Sequence, residues 1–179
     1  MARPRTSTFV GISLDGFLAR LDGSLDWLKP FEGTEHGYTA FFKTVDTLAI
    51  GRGTYDFVLG MLRSGLPWPY GGKRCVVMTH RPVEGQHQER AFAGEPKDLL
   101  EELGKQGARH VYVDGGVVIR RFLACGLLDE ITVSIVPVLI GTGIPLFGGV
   151  ALESGLRLEQ ARSFENGIAQ LHYRVRTSS

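Results

Sequence analysis

His110-Val-Tyr-Val-Asp-Gly-Gly-Val-Val-Ile-Arg-Arg-Phe-Leu123 changes its period halfway along. His110 to Val113 is a short apolar run that reads as a buried strand. After Asp114-Gly115-Gly116, the apolar Ile119, Phe122 and Leu123 fall at i, i+3 and i+4, one face of a helix. A strand passing into a helix through two glycines is a building unit of α/β folds, and a similar unit occurs upstream. There, Thr47 to Ile50 is a short strand that runs through Gly51-Arg52-Gly53-Thr54 into a helix with Tyr55, Val58, Leu59 and Leu62 on one face.

The flanking segments fit this alternation. Thr8 to Leu14 reads as a buried first strand, and Tyr38, Phe41, Phe42 and Val45 as one face of a helix. Between them, Asp15 to Pro30 is predicted as a long loop of the kind that serves as a lid or binding loop. Arg74 to Met78 is a strand closed by Thr79-His80-Arg81-Pro82, and a polar stretch leads to a helix that begins near Pro96 and ends at Gly107. Ile131 to Leu139 is a β-branched strand, suited to the centre of a sheet or to a dimer interface. Leu156 and Leu158 alternate with charged residues, Asn166-Gly167 makes a turn, and Ala169, Leu171, Tyr173 and Val175 alternate with polar residues, which together read as a hairpin. The expectation is one α/β domain over residues 1–179, with its core at about 8–176. Its sheet is mixed and mainly parallel, with helices on both faces and a C-terminal antiparallel hairpin.

Composition narrows the function. Twenty Lys and Arg against 19 Asp and Glu leave a net charge of +1, which argues against a broad nucleic-acid surface. No run approaches the roughly 18 apolar residues of a membrane span. Ser13 and Asp15 interrupt the apolar stretch after Arg3 and Arg5, so it does not read as a signal peptide, and the cytoplasm is the expected location. Cys75 and Cys125 are too few for a disulfide framework; both follow or adjoin apolar segments and read as buried free thiols. The five His have no zinc-ligand spacing, so no metal is expected. Gly-x-Gly-x-x-Gly, Walker A and His-Glu-x-x-His sequences are absent. Gly11-Ile-Ser13-Leu-Asp15 misses the nucleophile-elbow pattern at its last position, so a hydrolase is poorly supported.

In sheets of this kind, ligands bind beyond the carboxyl ends of the parallel strands, and three such ends carry unusual sequence. At Gly51-Arg52-Gly53-Thr54, the N–H groups of a first helical turn suit a phosphate, with a guanidinium and a hydroxyl added. The same residues equally describe a turn glycine, a solvated Arg and a Thr cap. At Asp114-Gly115-Gly116, two missing Cβ atoms let a diphosphate lie against the backbone, and a tight turn would use them too. Thr79-His80-Arg81 suits a further phosphate, such as the 2′-phosphate of NADP, or is an ordinary basic turn before Pro82. Two glycine-bearing strand–helix junctions in one small sheet look like the two ends of a site for one extended dinucleotide.

Ser13-Leu-Asp-Gly16, Gly51-Arg-Gly-Thr54, Val77-Met-Thr-His-Arg-Pro82, Val113-Asp-Gly-Gly116 and Pro137-Val-Leu-Ile-Gly-Thr-Gly143 follow one another in this order. The set resembles the dihydrofolate reductase superfamily. It is closest to the reductase domain of the bifunctional riboflavin-biosynthesis deaminase–reductase, without room for a deaminase domain. The resemblance spans about Thr8 to Val175 and implies the three-layer dihydrofolate-reductase-like fold, a homodimer, and an NADPH-dependent reductase acting on a small heterocycle or ribosyl-aminopyrimidine.

By motif position the resemblance implies that Gly51, Arg52, Gly53 and Thr54 hold phosphate on the adenosine side. Thr79, His80 and Arg81 would surround the adenine and 2′-phosphate, Gly115, Gly116 and Val117 would meet the diphosphate, and Leu18 and Ala19 would pass near the nicotinamide. Dihydrofolate reductases place a carboxylate about three residues before an aromatic-aromatic-Lys run. Here that run is Phe41-Phe42-Lys43 and the matching residue is Tyr38, which argues against dihydrofolate as substrate. Asp15 and Tyr38 are the candidate catalytic groups, and Ser13, Asp26 and Trp27 the candidate substrate contacts. Turn formation for Asp15, a loop anchor for Asp26 and Trp27, and core packing for Tyr38 are the structural alternatives. The rival functions are a true dihydrofolate reductase and a nucleotide-binding module without chemistry.

Overall fold

The computed structural model describes residues 3–31, 33, 35–148 and 153–176, so the outermost limits of the expected domain lie outside the described residues. The chain forms β1 (Arg5–Ser13), β2 (Phe17–Ala19), a 3-10 helix (Asp26–Phe31), α1 (Tyr38–Thr44), β3 (Thr47–Gly51), α2 (Arg52–Arg63) and β4 (Arg74–Met78). It continues as β5 (Arg90–Phe92), α3 (Pro96–Lys105), β6 (His110–Asp114), α4 (Gly116–Ala124), β7 (Glu130–Val136), β8 (Ile144–Pro145), β9 (Leu156–Ser163) and β10 (Ala169–Val175).

Eight strands make one sheet in the order β5-β4-β3-β6-β1-β7-β10-β9. Neighbours from β5 to β7 are parallel, and β10 and β9 finish the sheet as an antiparallel hairpin. All five residues of β3 are buried, as a strand covered on both faces requires. Side-chain alternation sends Ala49, Val76, Met78, Val111 and Val113 to one face, where they pack with Leu99, Leu100, Leu103, Ile119 and Phe122 of α3 and α4. Leu48, Ile50, Cys75, Val77 and Tyr112 go to the other face and meet Tyr55, Val58 and Leu59 of α2. Among the described residues, no helix is long and apolar enough to cross a membrane.

Three local features differ from the sequence reading. The predicted loop from Asp15 to Pro30 contains β2, which pairs with β8, and the 3-10 helix. The polar stretch before Pro96 hides β5, three partly exposed edge residues with no apolar pattern to reveal them. The strand expected to reach Leu139 ends at Val136, because Pro137 lacks the N–H that a ladder needs. That strand, β7, lies inside the sheet between β1 and β10, with Ile131 and Val133 buried. Of the two cysteines expected in the interior, Cys75 is buried, but Cys125 is exposed, because it is the C-cap of α4 and lies past the buried Phe122 and Leu123.

Candidate active site

β3 and β6 are hydrogen-bonded neighbours with Ile50 opposite Asp114, so their carboxyl ends lie side by side. Each passes directly into a helix. The N-caps of α2 and α4 are Gly51 and Gly115; neither supplies a side-chain cap, and neither helix has an acidic residue in its first turn. Within their own first turns both helices therefore leave amide donors and the positive end of the dipole without an acidic side chain, while Asp114, just before α4, takes of these amides only the Gly115 N–H. Thr54 does not cap α2; its hydroxyl bonds the Asp114 carboxylate across the junction.

Gly115 has φ +93°, a left-handed conformation that favours glycine. A Cβ there would sit 2.8 Å from Thr54 Oγ1 and 3.3 Å from Gly51 N, so the two junctions are packed together. A Cβ on Gly116 would sit 2.9 Å from Leu18 Cδ1 and 3.4 Å from the Pro145 carbonyl oxygen, which puts β2 and β8 beside the start of α4. Val117, also in the first turn of α4, is exposed. The space of the missing Cβ atoms is taken up by this packing of the loops, and the first-turn amides are what suits the phosphates of a dinucleotide.

The segment after β1 is braced rather than loose. Ser13 Oγ accepts the Phe17 N–H at 3.0 Å and also bonds the Asp15 carboxylate. Asp15 accepts N–H bonds from Ile140 at 3.3 Å and Gly141 at 2.7 Å. The Ser13 hydroxyl and these amides hold the exposed carboxyl below its ordinary range. A Cβ on Gly143 would collide with the Ala19 carbonyl, so the two loops pack backbone to backbone.

On the other side of the strand ends, Arg52 donates to Asp56 at 2.8 Å and to the Pro82 carbonyl at 2.8 Å. Arg81 reaches the second oxygen of Asp56 at 3.3 Å, and its own N–H bonds Thr79 Oγ1 at 3.1 Å. Arg52 and Arg81 thus converge on one exposed carboxylate, with His80 exposed beside them. Exposed ion pairs of this kind contribute about 0–1 kcal/mol, so a phosphate dianion can displace Asp56 from either guanidinium.

Asp114 is half-buried at the end of β6. Burial pushes its pKa up, only partly opposed by the Gly115 N–H and the Thr54 hydroxyl. Tyr38 is close enough to feel that charge; burial first and Asp114 second push its phenol up to about 12. The Tyr38 ring stacks on Phe42 at 5.6 Å and meets Phe9 edge-on at 5.6 Å, yet the residue stays 39% exposed, so it lines a surface as well as packing. Asp26 is paired with Arg20 at 2.6 Å, at the head of the 3-10 helix. Trp27 is buried against Val136 and Ile168, beneath that helix.

The strand ends thus bring together Gly51 to Thr54, Gly115 to Val117 and Leu18, with Arg52, Thr79 and Arg81 on one flank. Ser13, Asp15 and Ala19 brace the adjoining loops, and Asp26 and Trp27 belong to a separate cluster under the 3-10 helix. Asp114 is the group that sequence reasoning passed over as part of a glycine turn. Its signal was an acid closing an otherwise apolar strand. A cavity of about 630 Å³ lined by Asp46, Lys73, Arg74 and His87 lies at the opposite, amino ends of β3 and β4, away from these groups.

The RibD C-terminal domain family model matches residues 70–170. The chain is 35% identical over 172 residues to the uncharacterised protein YwjB of Bacillus subtilis strain 168, covering 94% of this chain and 97% of that protein. The crystal structure of a candidate riboflavin biosynthesis protein from Shewanella sp. PV-4 matches with a TM-score of 0.86 at 30% identity, covering 97% of this chain and 99% of that one. A diaminohydroxyphosphoribosylaminopyrimidine deaminase/5-amino-6-(5-phosphoribosylamino)uracil reductase from Thermotoga maritima shares the fold, with a TM-score of 0.68 at 16% identity over 96% of this chain and 56% of that one.

Proposed function

Because this chain belongs to the RibD C-terminal domain family, we propose that it is an NADPH-dependent reductase of a small heterocyclic or ribosyl-aminopyrimidine substrate. The observation that carries the reading is the pair of helix N-termini at Gly51 and Gly115, without side-chain caps or first-turn acids of their own, packed against each other at adjacent strand ends. Two such termini offer successive amide cradles for a diphosphate and a further phosphate. Arg52 and Arg81, with Thr79 and His80, take the 2′-phosphate; Gly115, Gly116 and Val117 meet the diphosphate, and Leu18 and Ala19 border the nicotinamide end.

The bound nicotinamide supplies a hydride to a C=N or C=O carbon. The heteroatom of that bond then needs a proton. Asp114, whose carboxyl desolvation pushes toward the protonated form, is the group suited to give it, and the neutral Tyr38 phenol beside it donates a hydrogen bond. Ionised Asp15 holds the loops beside the reacting atoms through Ile140 and Gly141, with Ser13 bracing it. The 3-10 helix that carries Asp26, clamped by Arg20, and Trp27, buried against Val136 and Ile168, would border the substrate from its own side. The enzyme acts in the cytoplasm as a homodimer that pairs through β9, the sheet-edge strand exposed along its whole length.

The deciding experiment is fluorescence titration of the purified protein with NADPH and NADH. Tight NADPH binding with weak NADH binding is expected, followed by NADPH oxidation with a ribosyl-aminopyrimidine and none with dihydrofolate. Failure to bind either dinucleotide refutes the assignment. NADPH binding without turnover of any such substrate would favour a nucleotide-binding module without chemistry.

A further inference from the structure

We propose that Glu89 and Tyr55 are positioning residues that hold Arg52 and Arg81 in register and thereby set the preference for a dinucleotide carrying a 2′-phosphate. The inference rests on the NADPH reading above and adds to it the device that makes the basic flank selective. Neither residue is predicted from the sequence to belong to the site.

Parallel neighbours in a sheet need a crossover, usually a helix that satisfies its own amides. Between β4 and β5 the crossover is residues 79–89, and no helix lies there. Its backbone donors therefore need partners from elsewhere. Glu89, only 4% exposed, supplies them: Oε1 accepts the Gly85 N–H at 2.9 Å and Oε2 the His87 N–H at 2.8 Å. The fully buried Tyr55 completes the knot, donating its hydroxyl to Glu89 Oε1 at 2.8 Å and accepting the Glu84 N–H at 2.8 Å. No ion pair to Glu89 occurs among the described residues, yet these donors outweigh burial and keep its carboxyl below the ordinary range.

The knot lies one helical turn from the phosphate-binding flank. Tyr55 follows Arg52 by three residues on α2, and Arg52 donates to Pro82 in the same crossover. Arg81 precedes that proline, and its N–H is tied to Thr79. The Arg52–Asp56 and Arg81–Asp56 pairs are exposed and cannot fix the crossover against the helix by themselves. The bonds from Glu84, Gly85 and His87 to the buried Tyr55 and Glu89 side chains do so, and they decide where Arg81 stands relative to Arg52. Glu89 and Tyr55 are both buried, so they act through the crossover and not on the ligand.

Glu89→Gln keeps the side-chain size but points an NH2 group at a donor. Tyr55→Phe removes only the hydroxyl. In either variant the NADPH dissociation constant is expected to rise about 10-fold, the loss of a hydrogen bond to a charged group, while that for NADH stays nearly constant. Amide exchange at Gly85 and His87 is expected to accelerate in both. An equal rise for the two dinucleotides, or an unchanged NADPH/NADH ratio, overturns the proposal while leaving the cofactor assignment standing. A parent protein with no preference for NADPH takes down the functional reading and this inference together. If Glu89→Gln does not fold, Tyr55→Phe decides alone.

Discussion

Asp114 concentrates the chemistry at the scale of a single residue. The residue is half-buried, its carboxyl is bonded by Thr54 and Gly115, and desolvation holds it above the ordinary aspartate range. A carboxyl shifted upward is protonated more readily in the folded than in the unfolded chain. Its contribution to stability is therefore full below the unfolded value and is lost as pH rises through the folded value. Turnover by a protonated acid follows the same direction, falling on the alkaline side as the proton leaves. Asp114→Asn is expected to lower kcat by about 100-fold or more, with the NADPH dissociation constant little changed. The variant's stability should also be flatter with pH across that window, which parallel melts of parent and variant would show. An unchanged kcat would exclude Asp114 as the proton source. The acid is written in the sequence, but its burial is not, because the groups around it come from α1, α2 and β6, far apart along the chain.

At the scale of elements, the decisive object is the junction of β6 with α4 against that of β3 with α2. Gly115→Ala meets two obstacles: a positive φ, and a Cβ 2.8 Å from Thr54 Oγ1 and 3.3 Å from a backbone nitrogen that cannot swing aside. Strain of this kind costs about 1–3 kcal/mol, so the variant is expected to melt several degrees lower and to lose dinucleotide affinity. Calorimetry and the titration above check both; an unaltered melting temperature would refute the close packing. Periodicity makes the helices and the main strands legible, since Tyr55, Val58 and Leu59, or Ile119, Phe122 and Leu123, reach the core at helical spacing. β5 and the 3-10 helix escape it. The first is too short and too exposed to carry a pattern, and the second is irregular chain pinned by the Arg20–Asp26 pair and the buried Trp27.

Over the whole molecule, the sheet is finished differently at its two margins. β5 is a three-residue edge that presents little to pair with, whereas β9 offers eight exposed residues with Leu156 and Leu158 among them. A homodimer through β9 is therefore expected, and Leu158→Lys should convert it to a monomer in light scattering, without loss of fold by circular dichroism. A parent protein that is already monomeric at micromolar concentration would refute the interface. The contact between Gly115 and Gly51 also has a consequence for anyone who would move this site to another scaffold. Neither strand–helix passage keeps its shape alone, because each occupies the space the other leaves empty. The smallest portable piece is both passages together, Thr47–Arg63 with His110–Ala124; a graft of either one would arrive without the wall it leans on.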